Sequence, residues 1–185
     1  MKKLSIDEIS LQRLSGDEVK TARRFPITVI LDDIRSLHNV GSIFRTADAI
    51  RAKELILCGI TGTPPRREIE KTALGSVDSV PWRYEKNALD AVLKVKDAGL
   101  PVYALEQTEP SQTLWEAKYT FPCCLIVGNE VFGVQDSLLP HVDSALDIPM
   151  FGSKHSLNVS VAFGIAAYDM AAAYLKRQSA RPDTI

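Results

Sequence analysis

Two kinds of apolar pattern alternate along the chain. Short runs of consecutive, often β-branched residues predict buried strands: Ile27–Asp33 (ITVILDD) behind Pro26, Glu54–Cys58, Val80–Tyr84 with Pro81 at its edge, Pro101–Leu105, Cys123–Val127, and Ala145–Ile148, which Pro149 cuts short. The other stretches repeat apolar positions every three to four residues and predict helices. Val40, Ile43, Phe44 and Ala47 follow that spacing behind Asn39, which can cap them. Asn87–Ala98 is the cleanest case, with Asn87 as cap, Ala88, Ala91, Val92 and Val95 on one face, and Gly99 where a left-handed residue ends a helix. Shorter helical segments are expected over Asp17–Arg24, Glu68–Ala73 and Gln135–Leu139. The last helix starts behind Ser156 or Asn158 and is rich in Gly and Ala from Ala162 to Ala173, which suits close approach of another helix or a partner subunit. Between the strands ending at Leu105 and starting at Cys123 the chain is polar and turn-rich, with Trp115 as the expected anchor. Residues 178–185 read as a mobile polar tail.

Strands alternating with helices predict an α/β fold with a mostly parallel sheet. Ligands of such sheets collect at the carboxyl ends of the strands. Three loops leave strand ends here: Glu106 onward, Gly128–Val134 and Pro149–Ser156. One shared binding site is therefore expected among them.

Length and composition narrow the class. The chain has 185 residues, 45% hydrophobic and 24% charged, enough for one domain with a real core. No apolar run approaches a membrane span, and no signal peptide precedes the acidic residues near the start, so a cytoplasmic location without a membrane partner is expected. Cys58, Cys123 and Cys124 sit in strand-like contexts without metal spacing and read as buried, reduced thiols. His38, His141 and His155 are unclustered, and no metal site is expected. A formal charge of −1 excludes a simple electrostatic nucleic-acid glue but not a protein with its basic residues on one face.

Each candidate motif is ambiguous alone. GNEVFG (Gly128–Gly133) lacks the following GK[ST] of a phosphate loop and has the wrong glycine spacing for a dinucleotide fold, so taken alone it reads more readily as a tight turn than as a phosphate or sugar cradle. Glu130 within it reads as a solvated carboxylate. In HNVGSIFRTADA, Asn39 reads as a helix cap and Arg45 as the partner of Asp48 or Asp33. No GxSxG or Cys/His arrangement supports covalent catalysis.

Taken together, in order and spacing, HNVGSIFRTADA, LIVGNEVFG and IPMFGSKHSLNVSVAFGIAAYD resemble the three signature motifs of the SpoU (TrmH-like) RNA ribose methyltransferases of the SPOUT superfamily. KTALGSVDSVPW (Lys71–Trp82) resembles the corresponding segment more weakly. The resemblance covers Ile27 to Leu175. It implies a parallel-sheet α/β/α domain over residues 27–177 whose C-terminal part is threaded into a trefoil knot, with residues 1–26 as an N-terminal extension. It implies S-adenosylmethionine bound in the knot, with cofactor positions at Gly128, Ile148 and Leu157, and additions at Leu105 and Glu106. It further implies a homodimer, with the small-residue helix in the subunit contact.

The implied reaction moves a methyl group to a ribose 2′-hydroxyl of tRNA or rRNA. The motif-one arginine is matched by Arg45, which the resemblance makes either a perturbed base or a positive charge that stabilises the developing alkoxide. Asn39, Glu130, Ser156 and Asn158 match the family's other polar positions and are expected to orient Arg45, the ribose and the adjacent phosphate. Arg23, Arg24, Arg66, Arg67 and Lys71 are expected RNA contacts. Two alternatives stay open at this point: a SAM- or RNA-binding protein without catalysis, and a generic α/β nucleotide-binding domain.

Overall fold

The computed structural model describes residues 1–11, 14 and 16–179. Seven strands make one sheet: β1 (Phe25–Asp32), β2 (Ala52–Cys58), β3 (Trp82–Glu85), β4 (Val102–Leu105), β5 (Gln112–Thr113), β6 (Cys123–Val127) and β7 (Ser144–Asp147). Their order is β3-β2-β1-β6-β4-β7-β5, and every pairing is parallel. All carboxyl ends therefore open on one edge of the sheet, where the connecting loops meet.

The helices are α1 (Ile6–Ser10), α2 (Gly16–Thr21), α3 (Leu37–Ala49), α4 (Arg67–Ala73), α5 (Ser76–Ser79), α6 (Ala88–Asp97) and α7 (Val159–Ser179). They cover both faces of the sheet. Ile27, Val29 and Leu31 of β1 join α3, α4 and α7 in one core, whereas Ile30 between them points into a second core under α6. That split is the two-residue period of a strand buried on both sides. Burial pushes the Cys58 and Cys123 thiols up to about 12 and raises Cys124 well above its ordinary value, so all three stay protonated packing groups.

Several expected elements change on the structure. Ser36, not Asn39, caps α3, its hydroxyl accepting the Asn39 N–H at 3.3 Å. Asn158 rather than Ser156 caps α7, since its Oδ1 accepts the Ser160 N–H at 2.9 Å. The expected Gln135–Leu139 helix is a turn followed by a 3-10 turn at Leu139–His141, where Pro140 removes a backbone donor. Trp115 is not a buried anchor: it is 65% exposed, and its neighbour Leu114, at 1%, fills the core instead. Gln178 and Ser179 belong to α7; the rest of the expected tail lies outside the described residues. The third strand starts later than expected, at Trp82, because Pro81 cannot donate to the ladder although its carbonyl accepts from Leu55.

Candidate functional site

A cavity of about 390 Å³ opens at the carboxyl ends of β4, β6 and β7. This lies within the range of roughly 300–1,000 Å³ common for small-molecule sites. Its walls come from the three loops expected to share a site, residues 105–107, 127–133 and 146–159, with Ala162 of α7. Leu105, Glu106, Gly128, Ile148 and Leu157, expected from sequence to hold the cofactor, all line it, as do Glu130, Ser156 and Asn158. Asn39 and Arg45 do not. The backbone of residues 149–157 makes no backbone–backbone hydrogen bond among the described residues, which leaves its polar groups available to a ligand.

The Gly128–Gly133 turn shapes the floor. Asn129 and Gly133 exchange backbone hydrogen bonds of 2.9 Å in both directions, and the Asn129 side chain accepts from Val131 and Phe132. A Cβ on Gly128 would stand 2.2 Å from the Gly133 carbonyl carbon and the Val134 nitrogen, so only glycine permits this closure. Gly133 has a φ of +70°, and a Cβ there would meet Glu106 Oε2 at 2.1 Å. Glu106 in turn accepts the Val134 N–H at 2.8 Å and the Gln107 N–H at 2.9 Å. It braces the turn while facing the cavity.

Glu130 is exposed, yet it is not a free loop carboxylate. It accepts the backbone N–H groups of Arg35 and Ser36, each at 2.9 Å, and the Asn39 Nδ2 at 2.8 Å. Arg35 and Ser36 sit at the amino end of α3, where the helix dipole favours negative charge. Desolvation by partial burial works to raise its pKa, but the bonds from Arg35, Asn39 and Ser36 outweigh it and hold the carboxyl below the usual glutamate value of 4.5. Because a carboxylate only accepts, Asn39 must turn its NH₂ toward Glu130. Its Oδ1 then accepts the Asn158 Nδ2 at 3.0 Å. One relay therefore runs from the 128–133 turn through α3 to the cap of α7.

The remaining contacts between these loops were not anticipated. Asp32, fully buried, accepts the Gln135 N–H at 2.9 Å and its side-chain NH₂. Burial raises its pKa, partly offset by those two bonds. Asn129 Nδ2 donates to the Asp33 carbonyl at 2.7 Å, and Gln107 Nε2 donates to the His155 carbonyl at 2.9 Å. These polar residues gave no sequence signal of their own. The Ser36 cap did, as a serine standing just ahead of an apolar repeat.

Arg45 is exposed on α3 and carries no ion pair or hydrogen bond among the described residues. The alternatives of Asp48 and Asp33 fall away, since Asp48 accepts from the Ser79 hydroxyl and Asp33 from the Ile60 N–H. Ser156 likewise has no hydrogen-bond partner among the described residues. Arg66, Arg67 and Lys71 are exposed and unpaired among the described residues, Arg66 and Arg67 at the start of α4 and Lys71 in its last turn. That helix lies directly on α3: Thr72 Oγ1 donates to the His38 carbonyl at 3.0 Å, and a Cβ on Gly41 would meet Ile69 O at 2.3 Å. The other expected contacts sit elsewhere. Arg23 donates to the Tyr174 hydroxyl, and Arg24 is half-buried and donates to the carbonyls of Val19, Ala52 and Ser79, a structural use of its guanidinium.

Comparison with known proteins places this arrangement. The family model described as the SpoU rRNA Methylase family matches residues 26–168. The chain is 33% identical over 153 residues to the tRNA (guanosine(18)-2′-O)-methyltransferase of Thermus thermophilus, covering 83% of this chain and 78% of the relative. A solved structure, the Aquifex aeolicus TrmH/SpoU tRNA modifying enzyme, superposes with a TM-score of 0.80 at 31% identity, covering 96% of this chain and 89% of that one. The SpoU methyltransferase AviRb from Streptomyces viridochromogenes, solved in complex with the cofactor AdoMet, gives a TM-score of 0.73 at 26% identity over 85% of this chain and 64% of that one.

Proposed function

The chain belongs to the SpoU rRNA methylase family, and from that premise we propose that it is an S-adenosylmethionine-dependent methyltransferase acting on a ribose 2′-hydroxyl of RNA, with tRNA as the substrate class. The observation that carries this reading is the Glu130–Asn39–Asn158 relay, which ties the three signature motifs into one site beside a cofactor-sized cavity. A decayed, purely binding protein would have no use for so fully satisfied a polar network on the helix that also carries Arg45, unpaired among the described residues. The tRNA class is supported by the Thermus and Aquifex proteins, both named for tRNA.

The cavity suits S-adenosylmethionine. Leu105, Ile148 and Leu157 offer apolar walls to an adenosyl group, while the backbone around Gly128 and along residues 149–157 offers polar partners. Bound there, the cofactor supplies an electrophilic methyl carbon on a sulfonium. The residues of the chain act on the ribose. Its 2′-hydroxyl gives up its proton to solvent water as the oxygen gains the methyl group, and negative charge builds on that oxygen in between. Arg45 offsets the charge. Ser156, at the cavity and without a hydrogen-bond partner among the described residues, positions the ribose, while Glu130, Asn39 and Asn158 hold the surrounding backbone still. Arg66, Arg67 and Lys71 grip phosphates beside α3, and Arg23 adds to the footprint from the far end of α7.

The finer features of the reading are the trefoil knot, the homodimer and a cytoplasmic location, where tRNA and rRNA reside. Among the described residues no helix is long and apolar enough to cross a membrane. The dimer is supported by α7, whose outer side presents Val161, Ile165, Tyr168 and Leu175, each 40–57% exposed, in one apolar stripe. The proposal is tested by incubating bulk tRNA with the protein and methyl-labelled cofactor, then digesting the RNA to nucleosides. Label in a 2′-O-methyl nucleoside supports it; label in a methylated base refutes it.

A further inference from the structure

The three most exposed aromatic side chains are Phe151 at 87%, Phe132 at 83% and Trp115 at 65%, and all three lie at the carboxyl edge of the sheet. Phe132 lines the cavity itself, and Phe151 directly follows Met150, which also lines it. Trp115 comes from outside those loops. The pairing of Thr113 with Asp147 sets the chain after β5 beside the chain after β7, so Trp115 and Phe151 meet. Their rings are nearly parallel, 5° apart in plane with centroids 6.3 Å apart. Burial does not explain the pair, because Leu114 already fills the core beside it.

We infer that Trp115 and Phe151 form a stacking platform for an unpaired base of the RNA, next to the nucleotide whose ribose is methylated; this rests on the function proposed above. A ribose hydroxyl can enter a cavity only where the nucleotide is pulled from its helix, and bases splayed in this way are held on aromatic faces. Charge supports the same occupant. Lys118 and Lys154 each stand three residues along the chain from one of the rings, both exposed and without an ion pair among the described residues, while the exposed Glu116 next to Trp115 accepts from the Thr113 hydroxyl. Stacking adds affinity that salt does not screen, beside the salt-dependent share from Arg66, Arg67 and Lys71. The α7 stripe offers a second copy a separate apolar face.

The test uses the full chain with Trp115→Ala, Phe151→Ala and the conservative Trp115→Phe. Binding of unmodified bulk tRNA is titrated at two salt concentrations, alongside S-adenosylmethionine affinity and oligomeric state. The platform predicts RNA binding weakened about tenfold by either alanine. The salt slope, cofactor affinity and oligomeric state should stay unchanged, with Trp115→Phe recovering most of the loss. Unchanged RNA affinity in both alanine variants overturns the inference while leaving the methyltransferase reading intact. So does a loss accompanied by dissociation of the oligomer, which assigns the pair to a subunit contact. Failure of the unsubstituted protein to bind or methylate RNA removes the underlying reading and the inference with it.

Discussion

Replacing Glu130 with Gln probes the relay at its charged end. The carboxylate accepts three hydrogen bonds, two from the backbone that opens α3 and one from Asn39. Glutamine keeps one acceptor oxygen and turns an NH₂ toward at least one donor, so one or two of these bonds are lost. Bonds to a charged acceptor contribute about 1.5–3 kcal/mol each when shielded. Glu130 is exposed, water can replace its partners, and the expected cost falls to about 1–2 kcal/mol. For a domain of this size that is a fall in Tm of roughly 2–8 °C. The pH dependence separates this cause from generic damage. The native pKa lies below the ordinary 4.5, so the stabilisation is complete above that pH and is lost as pH falls through the depressed native value. Thermal unfolding of both proteins at pH 7 and at pH 3–4 is the assay. The gap between them should close in acid. A gap that persists unchanged at low pH, or no gap at pH 7, would refute the relay as the source of stability.

Other consequences are more local. Gly128→Ala should displace the 128–133 turn, because its methyl would overlap the Gly133 and Val134 backbone; S-adenosylmethionine affinity measured by calorimetry should fall at least tenfold. Neutralising Arg66, Arg67 and Lys71 together should flatten the slope of log K against log salt for tRNA by about 2–3, while a control at Arg24 should instead lower Tm through its lost carbonyl contacts. Ile165→Glu places a charge in the α7 stripe and should shift the protein toward monomer in analytical ultracentrifugation without unfolding it, since Ile165 is 40% exposed.

The sequence disclosed the parts of this fold that follow from local pattern. Consecutive apolar runs located β1, β2, β4, β6 and β7, because a strand buried on both faces needs them, whereas the half-exposed edge strand β3 was placed from the short run beside Pro81. Strand β5, Gln112–Thr113, is too short to leave such a run, and the strand order depends on contacts that no local pattern records. At α3 two cap-forming residues stand three apart. With Asn39 read as the cap, Ser36 stays unnoticed, and so does the more informative role in which a cap at Ser36 frees the Asn39 amide for the site. The relay partners lie 91 and 119 residues apart in sequence, so only the motifs' joint resemblance to a family brought them together in advance. Trp115 was misplaced because in a Leu-Trp pair only one side chain can face the core, and size alone does not say which.

The central claim rests on Arg45 and on RNA as the methyl acceptor. Transfer of labelled methyl from S-adenosylmethionine to bulk tRNA and to rRNA, by the unsubstituted protein and by Arg45→Ala, tests both at once. The account predicts label on tRNA and a loss of at least about a hundredfold in the variant, with cofactor affinity retained because Arg45 does not line the cavity. Equal activity in Arg45→Ala, or no label on either RNA from a protein that still binds the cofactor, would contradict it.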